Sequence, residues 1–163
     1  MSIDWEWLAK EQKISEDKGR QCITGAVIFS PDNKVFVQKR ADHKRLYPGC
    51  WDVVGGHVET GESLLAALER EIFEETGWKF VEATRLIQQI DWAAEDKDTL
   101  LYRREFDFIV TVEGDLSQPK IETENFTEWR WISETDLELL NENREEGEEF
   151  TFDLVRQAYQ LSK

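Results

Sequence analysis

A single mixed α/β domain is the fold class that the chain's patterning predicts, and three observations point there. Apolar, β-branched runs and helix-period stretches are interleaved without the strict alternation of a doubly wound parallel sheet. One stretch, residues 63–76, carries Leu65, Leu68 and Ile72 at helical spacing. No repeat, Gly/Ser linker or low-complexity tract divides the 163 residues, a length that buries a real core in one unit.

The elements follow in order. Residues 1–20 read as an extension bearing Trp5 and Trp7 that packs on the domain proper, residues 21–163. Residues 22–29 are apolar and β-branched, Ser30-Pro31-Asp32-Asn33 supplies turn formers, and residues 35–38 resume a strand pattern, so a hairpin is expected. A polar loop, 39–48, leads to residues 51–54, a short buried strand expected to stop in a tight turn at Gly55-Gly56. Gly77 suits the left-handed position that closes the 63–76 helix. Residues 84–90, 100–112 and 129–132 read as strands, with Gly114-Asp115 ending the second. Ser133-Glu134-Thr135-Asp136 resembles a helix-start box ahead of Leu137, Leu139 and Leu140, and a last amphipathic helix is expected near 152–161.

Composition narrows the function. The net charge of -15, from 35 acidic and 20 basic residues, repels a polyanionic backbone and argues against long nucleic acids as partners. Small anions remain available if bound cations or a local basic cluster offset that field. Cys22 and Cys50 form neither a metal-ligand spacing nor a disulfide framework, and both are expected as buried thiols. The N-terminus has no long apolar stretch, so neither a signal peptide nor a membrane span is expected, and a cytoplasmic location follows.

The chemistry concentrates between Gly56 and Trp78. On a helix, Glu71, Glu74 and Glu75 fall at i, i+3 and i+4, which directs three carboxylates to one place beside the apolar Leu65, Leu68 and Ile72 stripe. Like charges so arranged gain nothing unless a cation binds them. Oxygen-only ligands favour a hard cation, Mg²⁺ or Mn²⁺, over zinc. Arg70, next to Glu71, is placed to pair with one of these acids, and a Gly55-Gly56 carbonyl near the helix is a further candidate metal ligand.

The same stretch resembles the signature of the Nudix hydrolase family, MutT-like enzymes whose box reads Gly, five residues, Glu, seven residues, Arg-Glu, a bulky apolar, any, Glu-Glu, any, Gly, a bulky apolar. Gly56, Glu62, Arg70, Glu71, Ile72, Glu74, Glu75, Gly77 and Trp78 occupy its positions, Trp78 standing where an aliphatic is commoner. The segments 38–40, 47–52 and 128–132 resemble the family's flanking sequence. The resemblance implies an α/β/α sandwich around a mixed sheet and a divalent-metal-dependent hydrolase, with Mg²⁺ or Mn²⁺ as cofactor. Its substrate would be a nucleoside di- or triphosphate, or another nucleoside-diphosphate-linked small molecule, cleaved at a phosphoanhydride bond. It implies Glu74 and Glu75 as metal ligands, Glu71 as a third ligand or the base for the attacking water, and Glu62 as support for the metal site or its loop. Some members use a further loop glutamate before the late strand, for which Glu124 is the first candidate and Glu122 the second.

Substrate contacts are assigned more broadly. Lys39, Arg40, Lys44 and Arg45 form a basic cluster suited to phosphates, and His57 follows the paired glycines. Tyr47, Trp51, Trp92 and Trp129 are candidates for stacking on a base. Trp5 and Trp7 leave a homodimer open. The competing readings are an enzyme like isopentenyl diphosphate isomerase, whose catalytic cysteine would fall near Gly55, and a nucleotide sensor that binds without cleaving, in which the Glu-Glu pair usually degrades.

Overall fold

The computed structural model describes residues 2–163, and its strands fall into two sheets. In the first, β1 (Gln21–Ile28) lies between β4 (Val54–His57), antiparallel to it, and β6 (Thr99–Glu113), parallel to it, while β5 (Lys79–Asp96) closes the far edge antiparallel to β6. The second sheet is antiparallel, with β2 (Val35–Arg40) between β3 (Trp51–Asp52) and β7 (Phe126–Ile132). Helices α1 (Trp5–Asp17) and α2 (Leu64–Thr76) pack on one side, and a 3-10 helix (Glu134–Asn141) with α3 (Phe150–Ser162) packs on the other.

Period-two alternation feeds two cores from the same strands. Ala26, Ile28, Phe36, Phe106 and Phe108 join Leu8, Leu68 and Ile72 in the core beneath α1 and α2. Val27, Val35 and Val37 join Leu140, Leu154, Val155 and Tyr159 in the other. Trp78 is buried in the first core, edge-on to Phe36 and stacked on Trp131, so an indole is accommodated where an aliphatic is usual. Cys22 and Cys50 are buried and unpaired.

Three expectations change. The segments on either side of Ser30 do not form a hairpin; a single bridge, Phe29 to Val35, links them before β1 and β2 enter different sheets. Apolarity identified both strands, but both are interior, and interior strands find partners far along the chain. The glycines at 55 and 56 are no turn either. The chain crosses between sheets at Val53, and β4 runs straight through Gly55 and Gly56, paired with Gly25 and Thr24. At 133–136 the helix-start box exists, with the Ser133 N–H and hydroxyl both donating to Asp136, yet it opens a 3-10 helix.

β5 and β6 form a hairpin far longer than the apolar runs indicated. Its two turn residues, Lys97 and Asp98, both adopt positive φ, 48° and 63°, the backbone that a two-residue hairpin turn requires. The sequence lacks the usual Asn-Gly or Asp-Gly signal there. α2 obeys its sequence closely. Ser63 caps it by accepting from the Ala66 N–H, and Gly77 closes it at φ 75°.

α3 is tied to the second sheet by one hydroxyl. Tyr159 Oη lies 3.0 Å from the Asn33 carbonyl and 2.9 Å from the Ile132 carbonyl, and its single proton is shared between them. Tyr159→Phe is expected to destabilise the fold by about 1–2 kcal/mol in urea unfolding. An unchanged midpoint would show that packing alone holds α3.

Candidate active site

Where α2 meets the edge strand β4, one guanidinium gathers the acids. Arg70 Nε and Nη2 each donate to a Glu62 oxygen at 2.8 Å, Nη1 donates to Glu71 at 2.8 Å and Glu74 at 3.2 Å, and Nη2 also reaches the His57 carbonyl at 2.9 Å. Glu62 is held below the usual carboxylate range by Arg70, and its Oε1 also accepts from the Glu59 N–H. The box thus folds its own front loop onto its helix.

Glu75 points elsewhere. It is buried and accepts from the Gly55 N–H at 2.9 Å and, more weakly, from Gln38 Nε2 at 3.3 Å. Burial pushes its carboxyl well above the ordinary range, and the nearby Glu71 and Glu122 charges add to that. Glu71 is raised to about 7, first by burial, with Glu74 and Glu122 opposing Arg70. The sequence expectation of three carboxylates at one point is therefore corrected. Among the described residues no three acids are already gathered as a metal cage, because Arg70 draws Glu71 and Glu74 while Gly55 and Gln38 draw Glu75.

The glycines explain how the helix comes so close. A Cβ on Gly56 would collide with the Glu71 carboxylate, and one on Gly55 with the Thr24 carbonyl. Only glycine lets the strand edge and the acids share this space.

These residues line a cleft of about 1020 Å³. Glu71, Glu74, Glu75 and Glu122 line it together with Arg40, Lys44, Arg45 and Arg103. Glu122, not Glu124, is the loop acid that lines it; Glu124 is exposed and outside the lining. Burial and then the Glu74 charge raise the Glu122 carboxyl. Lys39 also departs from expectation. It turns from the cleft to pair with Glu128 and Glu142, each at 3.7 Å, because alternation along β2 sends neighbouring side chains to opposite faces. Arg40 does face the cleft, braced by its Nε on the Leu46 carbonyl at 3.0 Å. His57 stands at the mouth, where the enclosing walls and then Arg103, Arg40 and Lys44 lower its pKa.

Sequence reasoning missed Arg103 and Gln38. Arg103 is buried with its Nε unpartnered, and Gln38 is fully buried against Glu75. The available signal was a polar side chain at the inward register of an apolar strand. Behind Gly55 and Gly56 the cleft continues into an inner cavity of about 150 Å³ that shares Arg40, His57 and Glu75 with it. Of the aromatic candidates, Tyr47 and Trp92 line this cavity, while Trp51 and Trp129 lie outside both linings.

An all-oxygen donor set of Glu71, Glu74, Glu75 and Glu122 fits a hard divalent cation. Burial raises the Glu71, Glu75 and Glu122 carboxyls, and neighbouring acid charges raise each of them further, a repulsion that a bound cation would relieve.

Comparison with known proteins adds the following. The NUDIX domain family matches residues 19–154. An RNA pyrophosphohydrolase of Pelagibacter ubique is 36% identical over 131 residues, covering 72% of this chain and 77% of that protein. An isopentenyl-diphosphate Delta-isomerase of Halorhodospira halophila is 30% identical over 107 residues, covering 65% of this chain and 60% of that one. Among solved structures, a NUDIX hydrolase from Nitrosomonas europaea superposes with a TM-score of 0.69 at 20% identity, covering 88% of this chain and 91% of that chain.

Glu105 lines the inner cavity, and Asp107, two residues along β6, is fully buried. Burial raises Asp107 to about 6, and raises Glu105 well above its ordinary value. The folded state therefore holds protons that the unfolded chain releases near ~4. Stability should be greatest in mild acid and fall as pH rises through about 6. In chelator, the thermal midpoint should drop between about pH 4 and about pH 6, and Asp107→Asn should remove part of that drop. A midpoint that rises over this window would contradict the buried pair.

Proposed function

This chain belongs to the NUDIX family of hydrolases, which act on pyrophosphate bonds, and on that premise we propose that it hydrolyses a nucleoside di- or triphosphate, or a nucleoside-diphosphate-linked molecule, with Mg²⁺ or Mn²⁺. One observation carries the reading. The acids around Arg70 open onto a cleft that Arg40, Lys44, Arg45 and Arg103 also line, so a cation and an anionic diphosphate each find complementary charge in one space.

Glu74, Glu75 and Glu122 would hold the cation, with the Gly55 carbonyl as a further ligand. When bound, the cation supplies charge neutralisation on the diphosphate and acidifies an attacking water. Glu71, which lines the same cleft beside these acids, would accept the proton of that water. The new bond joins water oxygen to phosphorus, the anhydride P–O bond breaks, and the leaving phosphate departs past Arg40, Lys44 and Arg103. Arg70 acts as a positioning residue through Glu62 and Glu71 rather than by touching substrate. Lys39 and Glu124 have no part in this scheme.

The full box favours hydrolysis over isomerisation, since Gly55 stands where the notional catalytic cysteine would fall and the acids are complete. A sensor reading is disfavoured because Glu74 and Glu75 are intact.

A nucleotide panel assayed with Mg²⁺ and with Mn²⁺ should show phosphate or pyrophosphate release that chelator abolishes. Isomer formation from isopentenyl diphosphate, or tight nucleotide binding without turnover, would overturn the proposal. Glu75→Gln should lower turnover by roughly a hundredfold or more. It should also leave the chelated protein at least as stable as the parent, because an amide removes a buried carboxyl while keeping an acceptor for the Gly55 N–H.

A further inference from the structure

Glu105 and Asp107 lie outside the chemistry described above. They face the α3 side of β6, in register with Ile23 and Gly25 of β1 and with Ile90 and Gln88 of β5. Glu105 forms part of the floor of the inner cavity, and Trp92 Nε1 donates to its Oε2 at 2.7 Å. Asp107 is fully buried, and Gln88 Nε2 donates to its Oδ2 at 2.9 Å. Its Oδ1 fills the space that a side chain on Gly25 would take and meets no N–H or hydroxyl donor. Gly25 itself lines the cavity.

Donors and acceptors do not balance here. Four carboxyl oxygens meet one indole N–H and one amide N–H; Glu105 brings its carboxylate to the cavity, while the Asp107 Oδ1 that lacks a donor lies buried against Gly25 of the lining. Asp52 adds more acceptors to the same lining. Buried acceptors left unmatched are costly, so this end of the cavity favours a ligand rich in N–H donors. The cavity, of about 150 Å³, opens into the outer cleft past Arg40, His57 and Glu75, so a base entering it leaves its phosphates in the cleft. Trp92, Tyr47 and Phe150 supply apolar wall, and Arg40 and His57 stand at the junction with the cleft.

We propose that the inner cavity reads the nucleobase, with Glu105, backed by Asp107, accepting hydrogen bonds from the donor edge of a guanine-type base while the phosphates stay in the outer cleft. Guanine presents N1–H and a 2-amino group side by side. Adenine, cytosine and uracil each interleave acceptors with their donors on that edge, and would set lone pair against lone pair. This deepens the hydrolase reading and rests on it only for the nucleotide nature of the substrate.

The test compares guanosine and inosine triphosphates, which differ by the 2-amino group alone, in the wild type and in Glu105→Gln. Glutamine has nearly the same shape, keeps an oxygen for Trp92 and offers Asp107 an N–H, and a melting curve checks that the variant folds. For the wild type, kcat/KM should favour the guanosine nucleotide by at least about tenfold. In Glu105→Gln that ratio should approach one through a raised KM for the guanosine nucleotide. Hydrolysis of both at equal efficiency, or a ratio unmoved in the variant, would overturn the subsite while leaving the hydrolase standing. If neither nucleotide is turned over, calorimetric titration with guanosine and inosine diphosphates in Mg²⁺ decides the subsite, and the nucleotide panel decides the hydrolase reading separately. A tenfold preference that Glu105→Gln abolishes upholds it, and equal affinities overturn it.

Discussion

The contact of Arg70 with Glu62, Glu71, Glu74 and the His57 carbonyl fixes the geometry on which the rest of the site depends. One positive charge is set against three negative ones, so the cluster holds α2, its leading loop and β4 in register without neutralising itself. That residual charge has a structural cost, visible in the carboxyls that burial and repulsion raise. A fold tolerates such a cost where the same charges do work. Arg70 sets the spacing, and the unneutralised remainder gives a divalent cation something to bind.

The glycines of β4 make this proximity feasible. Because no Cβ intervenes, Glu71 lies against Gly56 and Glu75 takes the Gly55 N–H. β4 is an edge strand of the first sheet, reached by a crossing at Val53 from the second. That crossing divides the space beside the sheet edge. α2 lines the outer cleft with acids, while Arg40 at the end of β2 and Leu46 in the loop after it line both that cleft and the narrower inner cavity.

What could be read from sequence follows the range of the physics involved. α2 is determined locally, by Ser63, Gly77 and a periodic stripe, and its boundaries and its grouping of functional residues were legible. Strand identity was legible from apolarity, but pairing was not. Local turn chemistry at 30–33 pointed to a hairpin, whereas burial of β1 on both faces sent it to β4 and β6. Side-chain direction failed for the same reason. Lys39 and Arg40 are adjacent in a basic cluster, and only the register of β2 decides which one meets the cleft. Arg103, Glu105 and Asp107 were concealed because charged residues at period two look like a solvent face; loops and α3 cover it instead.

Charge then reconciles a strongly acidic chain with an anionic substrate. The whole protein carries -15, which repels an extended polyanion. Within about a Debye length, roughly 8 Å at physiological salt, local groups outweigh distant ones. Arg40, Lys44, Arg45 and Arg103 all line the cleft although each is remote from at least one other in sequence, and Arg103 is too buried to be screened fully. The overall field and the local one therefore act on different objects. The first disfavours a long backbone passing over the surface, and the second suits a short string of phosphates, whose remaining charge a cation on the cleft's acids would meet.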